Sequence, residues 1–391
     1  MCTNPIPVKN PYYNLHLRTD DPLFRVKDTR SMYLNIPCGH CDECVKVRQM
    51  SFVQRVQMEA LDSHLFFCTL TYNNQMIPSI LTSEGFSVRY FDKSDFTNML
   101  KRLRVRQCFG RPFRFVAVTE LGSLRSRPHL HCIFFVKKFP SDTYYDCLNL
   151  EDLLFRSVLS EWKRNVAPPV WSPKRGKFLP NRRCPDWKPC CTFVRSYSRH
   201  KVRSTFDLHY VNPVLTDGSE ADVAFYVSKY MVKESDSVVN MQRFLRLNHS
   251  PEEYFATWSL VRPSWFASSG FGFAPDPSSV KLRSYVPSPH VVSYIRDCVS
   301  RSRLNFASPK FFNPVDGKSF PLSRFYLRNQ DCYSVDDRLF FFDKSVASGV
   351  ARPDALFIDE RDRDRVFVDI DNNRLKFDGL SFDRDDFDAL F

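Results

Sequence analysis

The chain has 391 residues, 43% of them hydrophobic with 37 phenylalanines, which is enough apolar material to exclude a disordered chain. Its formal net charge is +12, unevenly spread: residues 1–330 carry 47 basic and 28 acidic side chains, and the stretch from Asp331 onward carries 9 basic and 16 acidic. A basic body with an acidic tail points to a polyanionic partner. No apolar run approaches the ~18 residues that cross a bilayer, and the N-terminal stretch lacks the apolar centre of a signal peptide. Thirteen cysteines in such a chain read as reduced thiols or metal ligands, and the expected compartment is the cytoplasm.

In chain order, a helix is expected from about Val45 to Leu61, after the cysteine-rich run Cys38-Gly39-His40-Cys41-Asp42-Glu43-Cys44. His64 to Tyr72 has the β-branched and aromatic content of a buried strand. Asp92 to Gln107 carries Phe96, Leu100 and Leu103 at helical spacing. Phe113 to Thr119 and His129 to Val136 read as strands joined through Gly122 and Ser123, and Leu148 to Arg164 reads as a further helix. Lys163 to Arg203 then holds twelve Lys/Arg, one acid (Asp186), six prolines and no sustained period, so it is expected as a long irregular basic insertion. A strand at Phe206 to Val211 and a helix over about Ser219 to Lys233 follow. This order predicts an α+β domain, an antiparallel sheet with helices packed on it. The organisation is an N-terminal Cys-rich section (1–60), a domain over 61–235 with the insertion at 163–203, an unassigned region (236–330), and an acidic tail (331–391) whose composition predicts partial disorder.

The chemistry lies in two motifs. His129 and His131 lie on one face of their strand with Ile133 and Phe135, and both faces of that strand are otherwise apolar, so it is expected to be central. Two imidazoles there can hold a divalent metal, with Glu120 at the end of the preceding strand as third ligand. Packed core histidines are the competing reading. The second motif is Tyr226-Val227-Ser228-Lys229-Tyr230-Met231-Val232-Lys233. At ~100° per residue, Tyr226, Tyr230, Lys229 and Lys233 gather on one side and Ala224, Val227 and Met231 form the core stripe. A phenol near its ordinary pKa of ~10 is a weak nucleophile at neutral pH, so Lys229 and Lys233 serve as neighbouring charge. Stacking of surface tyrosines on nucleic-acid bases is the competitor.

These residues resemble the HUH endonucleases that initiate rolling-circle replication. The resemblance rests on Phe67-Cys68-Thr69-Leu70-Thr71-Tyr72, on His129-Leu130-His131, and on Tyr226, Lys229 and Tyr230, in that order over roughly residues 36–236. The two-tyrosine motif, with Pro37-Cys38-Gly39-x-Cys41-x-x-Cys44, is similar to initiators of microviruses of the gokushovirus branch. The resemblance implies a ferredoxin- or RRM-like central antiparallel sheet flanked by helices. It implies nicking of a single-stranded DNA origin by one tyrosine, a 5′-phosphotyrosine, and re-ligation of circular genomes through the second. It implies Mg2+ or Mn2+ on His129, His131 and Glu120, and host helicase and DNA polymerase as partners in the bacterial cytoplasm, with no membrane. No Gly-x-x-x-x-Gly-Lys-Ser/Thr motif is present.

In the basic insertion, Lys174, Arg175, Lys177, Arg182, Arg183, Arg195, Arg199 and Arg203 are the candidate DNA-binding residues, with Trp171, Phe178, Trp187, Phe193 and Tyr197 available to stack on bases or to anchor the segment. Cys38, Cys41 and Cys44 suit a structural Zn2+ site, with Cys2, His40 or the Cys184, Cys190 and Cys191 group as a further ligand. An iron–sulfur cluster and three free thiols are the alternatives. The rival function is a non-catalytic nucleic-acid-binding protein with a structural metal; within the enzyme class, the rivals are a plasmid initiator, a relaxase or a transposase.

Overall fold

The computed structural model describes residues 3–10, 32–39, 41–106, 110–122, 127–168, 170–172, 174, 177–179, 184–191, 194–195, 202–203, 206–211, 224, 227–228, 236–275, 286–314 and 317–348. Within them, the aromatic and β-branched runs form β1 (Ser63–Thr71), β2 (Phe113–Leu121), β3 (Pro128–Lys137), β4 (Phe206–Val211) and β5 (Trp265–Ala267). These make one antiparallel sheet in the order β4-β1-β3-β2-β5. The central position of β3 follows from its two apolar faces, each of which needs a covering layer. Leu130, Cys132, Phe134 and Val136 point to one face, Ile133 and Phe135 to the other, and none of the six is more than 1% exposed. β5 comes from the region whose sequence carries no readable pattern, because three residues at a sheet edge are too few to display one.

The first face is covered by α2 (Lys93–Val105) and α3 (Tyr144–Glu161), which bring Phe96, Met99, Leu100, Leu103, Leu154 and Val158 onto the strands. α2 starts where Asp92 accepts a hydrogen bond from the Ser94 N–H at 2.9 Å. α3 starts earlier than expected, because Thr143 and Asp146 cap each other reciprocally and recruit the polar first turn. The second face is covered by α1 (Asp42–Leu61), through Phe52, Val53 and Val56, and by the helical residues Ala224 and Val227. Beyond the sheet, α4 (Asp236–Asn248) and α5 (Pro251–Val261) pair through Leu245 and Val261 in a smaller apolar cluster. A further helix, α6 (Pro289–Asn305), precedes the hairpin Lys310–Phe312 with Ser319–Pro321.

The basic insertion is not an irregular loop where it is described. Lys163–Asn165 pairs with Trp187–Pro189, Val170–Ser172 with Lys177–Leu179, and Val194–Arg195 with Val202–Arg203, all antiparallel. Strands of two or three residues are shorter than any detectable alternation, so the sequence pattern reads as featureless. Cys190 and Cys191 are buried with the core beneath α2 and α3, and Cys184 is exposed. In the acidic tail, Val335–Ala347 is a helix; the rest of that tail, residues 349–391, lies outside the described residues.

The chain forms two compact units: Arg48–Tyr294 with Asn313–Lys318, and Met1–Val47 with Ile295–Phe312 and Ser319–Phe391. The sheet lies in the first. No described helix is long and apolar enough to cross a membrane.

Candidate active site on the sheet

β-Strand pairing brings the sequence motifs together. In the register, Thr71 faces His129, Thr69 faces His131, and Glu120 faces His129 from the other side. Odd residues of β1 and β3 and even residues of β2 share a face. Thr69, Thr71, Glu120, His129 and His131 therefore stand on the face that also carries Leu65, Val116, Val118, Ile133 and Phe135. The strands run from an apolar half, covered by α1, Ala224 and Val227, to a polar end that holds the imidazoles.

Each imidazole is held at its inner nitrogen. The Thr71 hydroxyl is 2.8 Å from His129 Nδ1, and the Thr69 hydroxyl is 3.1 Å from His131 Nδ1. Phe67 stacks on the His131 ring at 5.8 Å with an interplanar angle of 9°. On the outer side, His131 Nε2 lies 2.8 Å from Glu120 Oε2. With Nδ1–H donated to threonine, that nitrogen and the carboxylate oxygen would present lone pairs to each other, and only a proton or a cation between them makes the contact favourable. Burial, helped by the charges of His131 and Arg127 and opposed by Glu120, holds the His129 pKa below the ordinary imidazole value, so this ring is neutral and able to donate an electron pair at neutral pH.

Gly122 makes room for His129. A Cβ built on Gly122 would lie 3.0 Å from His129 Nε2 and 3.3 Å from its Cδ2. The Arg127 guanidinium donates to the Tyr72 carbonyl, tying the entry of β3 to the end of β1.

Two neutral imidazoles and a carboxylate form a donor set suited to a divalent ion with open positions. His131 and Glu120 are in direct contact, and His129 stands beside them with Nε2 turned toward Gly122. Among the described residues, the group of three or more possible metal ligands whose donor atoms all lie within 4.8 Å of one another is instead Cys38, Cys41 and Cys44.

Of the other residues picked from the sequence, Tyr226, Lys229, Tyr230 and Lys233 lie outside the described residues, as do Arg175, Arg182, Arg183 and Arg199. Their neighbours Ala224 and Val227 are helical and buried, 4% and 0% exposed, as the predicted core stripe requires; Met231 lies outside the description. Lys174 is exposed, and Lys177, Arg195 and Arg203 are described only as strand backbone. Trp187 is covered by the Arg102 guanidinium at 4.4 Å, which anchors it to α2, and Trp171 is about half exposed. Sequence reading missed Gly122 as the space behind His129, and Asp207, a carboxylate set on the same sheet face by its register opposite Thr69. Both depend on strand alignment, which no local signal reports.

A sequence model of a replication-associated protein family, of the ORF2 type, matches residues 65–235. The matched span runs from β1 through β4 to the double-tyrosine motif, and so takes in every candidate residue of the site. The family name agrees with a rolling-circle replication initiator. No curated protein matches the chain, and no solved structure does.

Proposed function

We propose that this chain initiates rolling-circle replication. It nicks single-stranded origin DNA through a tyrosine, holds the cut strand as a 5′-phosphotyrosine, and re-ligates circular single-stranded genomes. One observation carries the reading. His129, His131 and Glu120 occupy the sheet face on which Ala224 and Val227 pack, and Tyr226 and Tyr230 belong to the same short stretch of sequence as those two anchors. An HUH-type arrangement of the antiparallel sheet is part of the proposal.

His129, His131 and Glu120 would hold Mg2+ or Mn2+, which when bound polarises the scissile phosphate as a Lewis acid. The chain supplies the rest. Thr69 and Thr71 fix the tautomers by holding Nδ1 of each histidine. Lys229 and Lys233 supply positive charge that favours the phenolate and steadies the phosphate. The oxygen of Tyr226 or Tyr230 attacks phosphorus, the P–O3′ bond breaks, and the 3′-oxygen leaves and takes up a proton. The new ester keeps the energy of the old one, so a returning 3′-OH reverses the step and frees the tyrosine. Two nucleophiles a helical turn apart let one hold DNA while the other cuts the regenerated origin. The basic insertion contacts phosphates through residues such as Lys174, Lys177, Arg195 and Arg203, so DNA binding weakens linearly in log salt. A host helicase and polymerase complete the cycle in the bacterial cytoplasm, in a phage of microvirus type.

The test is incubation of the full chain with an origin-containing single-stranded oligonucleotide and Mn2+ or Mg2+. The expected result is an SDS-resistant protein–DNA adduct that disappears in a Tyr226→Phe, Tyr230→Phe double variant. His129→Ala and His131→Ala should abolish adduct formation while keeping most DNA binding in a gel-shift assay. Protein that binds DNA and never forms the adduct is a non-catalytic binding protein, and the proposal fails.

A further inference from the structure

We propose that Cys38, Cys41 and Cys44 form a second metal site, a thiolate site for zinc at the amino end of α1, separate in chemistry from the histidine site. The three sulfur atoms lie within 4.8 Å of one another, and no disulfide joins them. Thiolates at ~2.3 Å from a tetrahedral zinc stand about 3.8 Å apart, so small side-chain shifts bring all three onto one ion.

The backbone is built for this. Gly39 adopts φ 78°, a left-handed conformation that a residue with a Cβ adopts at a cost, and the turn it makes returns the Cys41 N–H to the Cys38 sulfur at 3.4 Å. The backbone and hydroxyl of Thr3 hydrogen-bond to the Cys41 sulfur. Cys44 sits in the first turn of α1, where the unpaired N–H groups and the helix dipole favour negative charge. Hydrogen bonds to sulfur and a helix N-terminus both stabilise thiolate over thiol, the form that binds metal. All three cysteines are partly exposed, whereas Cys68 and Cys132 are buried in the sheet core. An ion can therefore reach this cluster.

Three soft sulfur ligands select zinc over Mg2+ or Mn2+. A fourth ligand is needed to close a structural zinc site. Cys190 and Cys191 are committed to the apolar core. Cys2 and His40 adjoin Thr3 and Cys41 in sequence and are the candidates to supply it, although both lie outside the described residues.

The experiment uses the full chain, purified without a metal-affinity tag and analysed by elemental mass spectrometry. About one zinc per chain is expected, not displaced by millimolar Mg2+ or Mn2+ and lost in the Cys38→Ser, Cys41→Ser, Cys44→Ser triple variant. Because that variant can also lose metal by unfolding, wild-type protein is alkylated with iodoacetamide before and after chelator. Cys38, Cys41 and Cys44 should react only after chelator, with Cys68 and Cys132 unreactive throughout as folding controls. Absence of stoichiometric zinc, iron in its place, zinc retained in the triple variant, or equal labelling in both states overturns the proposal. None of these readouts uses DNA, so the result is independent of the nuclease reading.

Discussion

At the scale of single residues, the site is set by small groups behind the histidines. The Thr71 hydroxyl at 2.8 Å is the partner the structure gives to His129 Nδ1. Thr71→Val keeps shape and removes that partner, so we expect metal-dependent cleavage to need about 10- to 100-fold more Mn2+, with Thr71→Ser restoring the wild-type titration. A titration unchanged in the valine variant would remove threonine from the site. Gly122→Ala tests space rather than hydrogen bonding. Its methyl would sit 3.0 Å from His129 Nε2, and the ring must yield. Cleavage should fall by up to about 100-fold, the scale of an ångström's misplacement. The thermal midpoint should hold, because the backbone of Gly122 is not in the left-handed region. The histidine pair and Glu120 were readable as a set from spacing and strand alternation. Their threonine partners were visible only as a motif, because a hydroxyl's role depends on which strand lies next door.

At the scale of elements, α2 carries a titrating group in its first turn. Asp95 is 4% exposed and accepts a hydrogen bond from the Tyr72 hydroxyl at 2.9 Å. Burial raises its pKa to about 7, against the opposing pull of Arg164 at 3.8 Å. A carboxyl whose folded pKa exceeds its unfolded value of ~3.9 stabilises the fold while protonated, and that contribution is lost as pH rises. Unfolding free energy should therefore decline between about pH 4 and pH 7, and Asp95→Asn should flatten the decline in urea titrations at stepped pH. A variant whose stability keeps the wild-type slope would refute the assignment. Helices and strands with six or more residues of clean pattern were read from sequence to within a few positions. The paired ribbons of the basic insertion and the edge strand β5 were not, because two or three residues carry no period.

At the scale of the molecule, the sheet unit is pinned by a buried ion pair. Glu59 on α1, 0% exposed, accepts from Arg114 Nε and Nη2 on β2 at 3.0 Å each, and from the Gly272 N–H at 2.7 Å. Arg114 in turn donates to the Ser269 carbonyl at 2.9 Å. One charge cluster thus joins α1, β2 and the loop after β5. Glu59→Gln leaves the guanidinium without its counter-charge and should cost about 3–5 kcal/mol in urea unfolding. Replacing Glu59 with no loss of stability would mean that apolar packing alone holds these elements.

Sequence alone determined the alternation that makes β3 central, the helical stripe at Ala224 and Val227, and the residue types able to hold a metal and attack phosphate. All of these are local: they follow from periodicity and from the chemistry of single side chains. Tertiary structure alone decided that Glu120 lies opposite His129, that threonine hydroxyls hold both imidazoles, that Gly122 leaves room for one of them, and that the Ala224–Val227 anchors share the histidines' face. The reason is register. A one-residue slip between strands turns every side chain to the opposite face, and register is set by the burial of the whole sheet rather than by any motif within it.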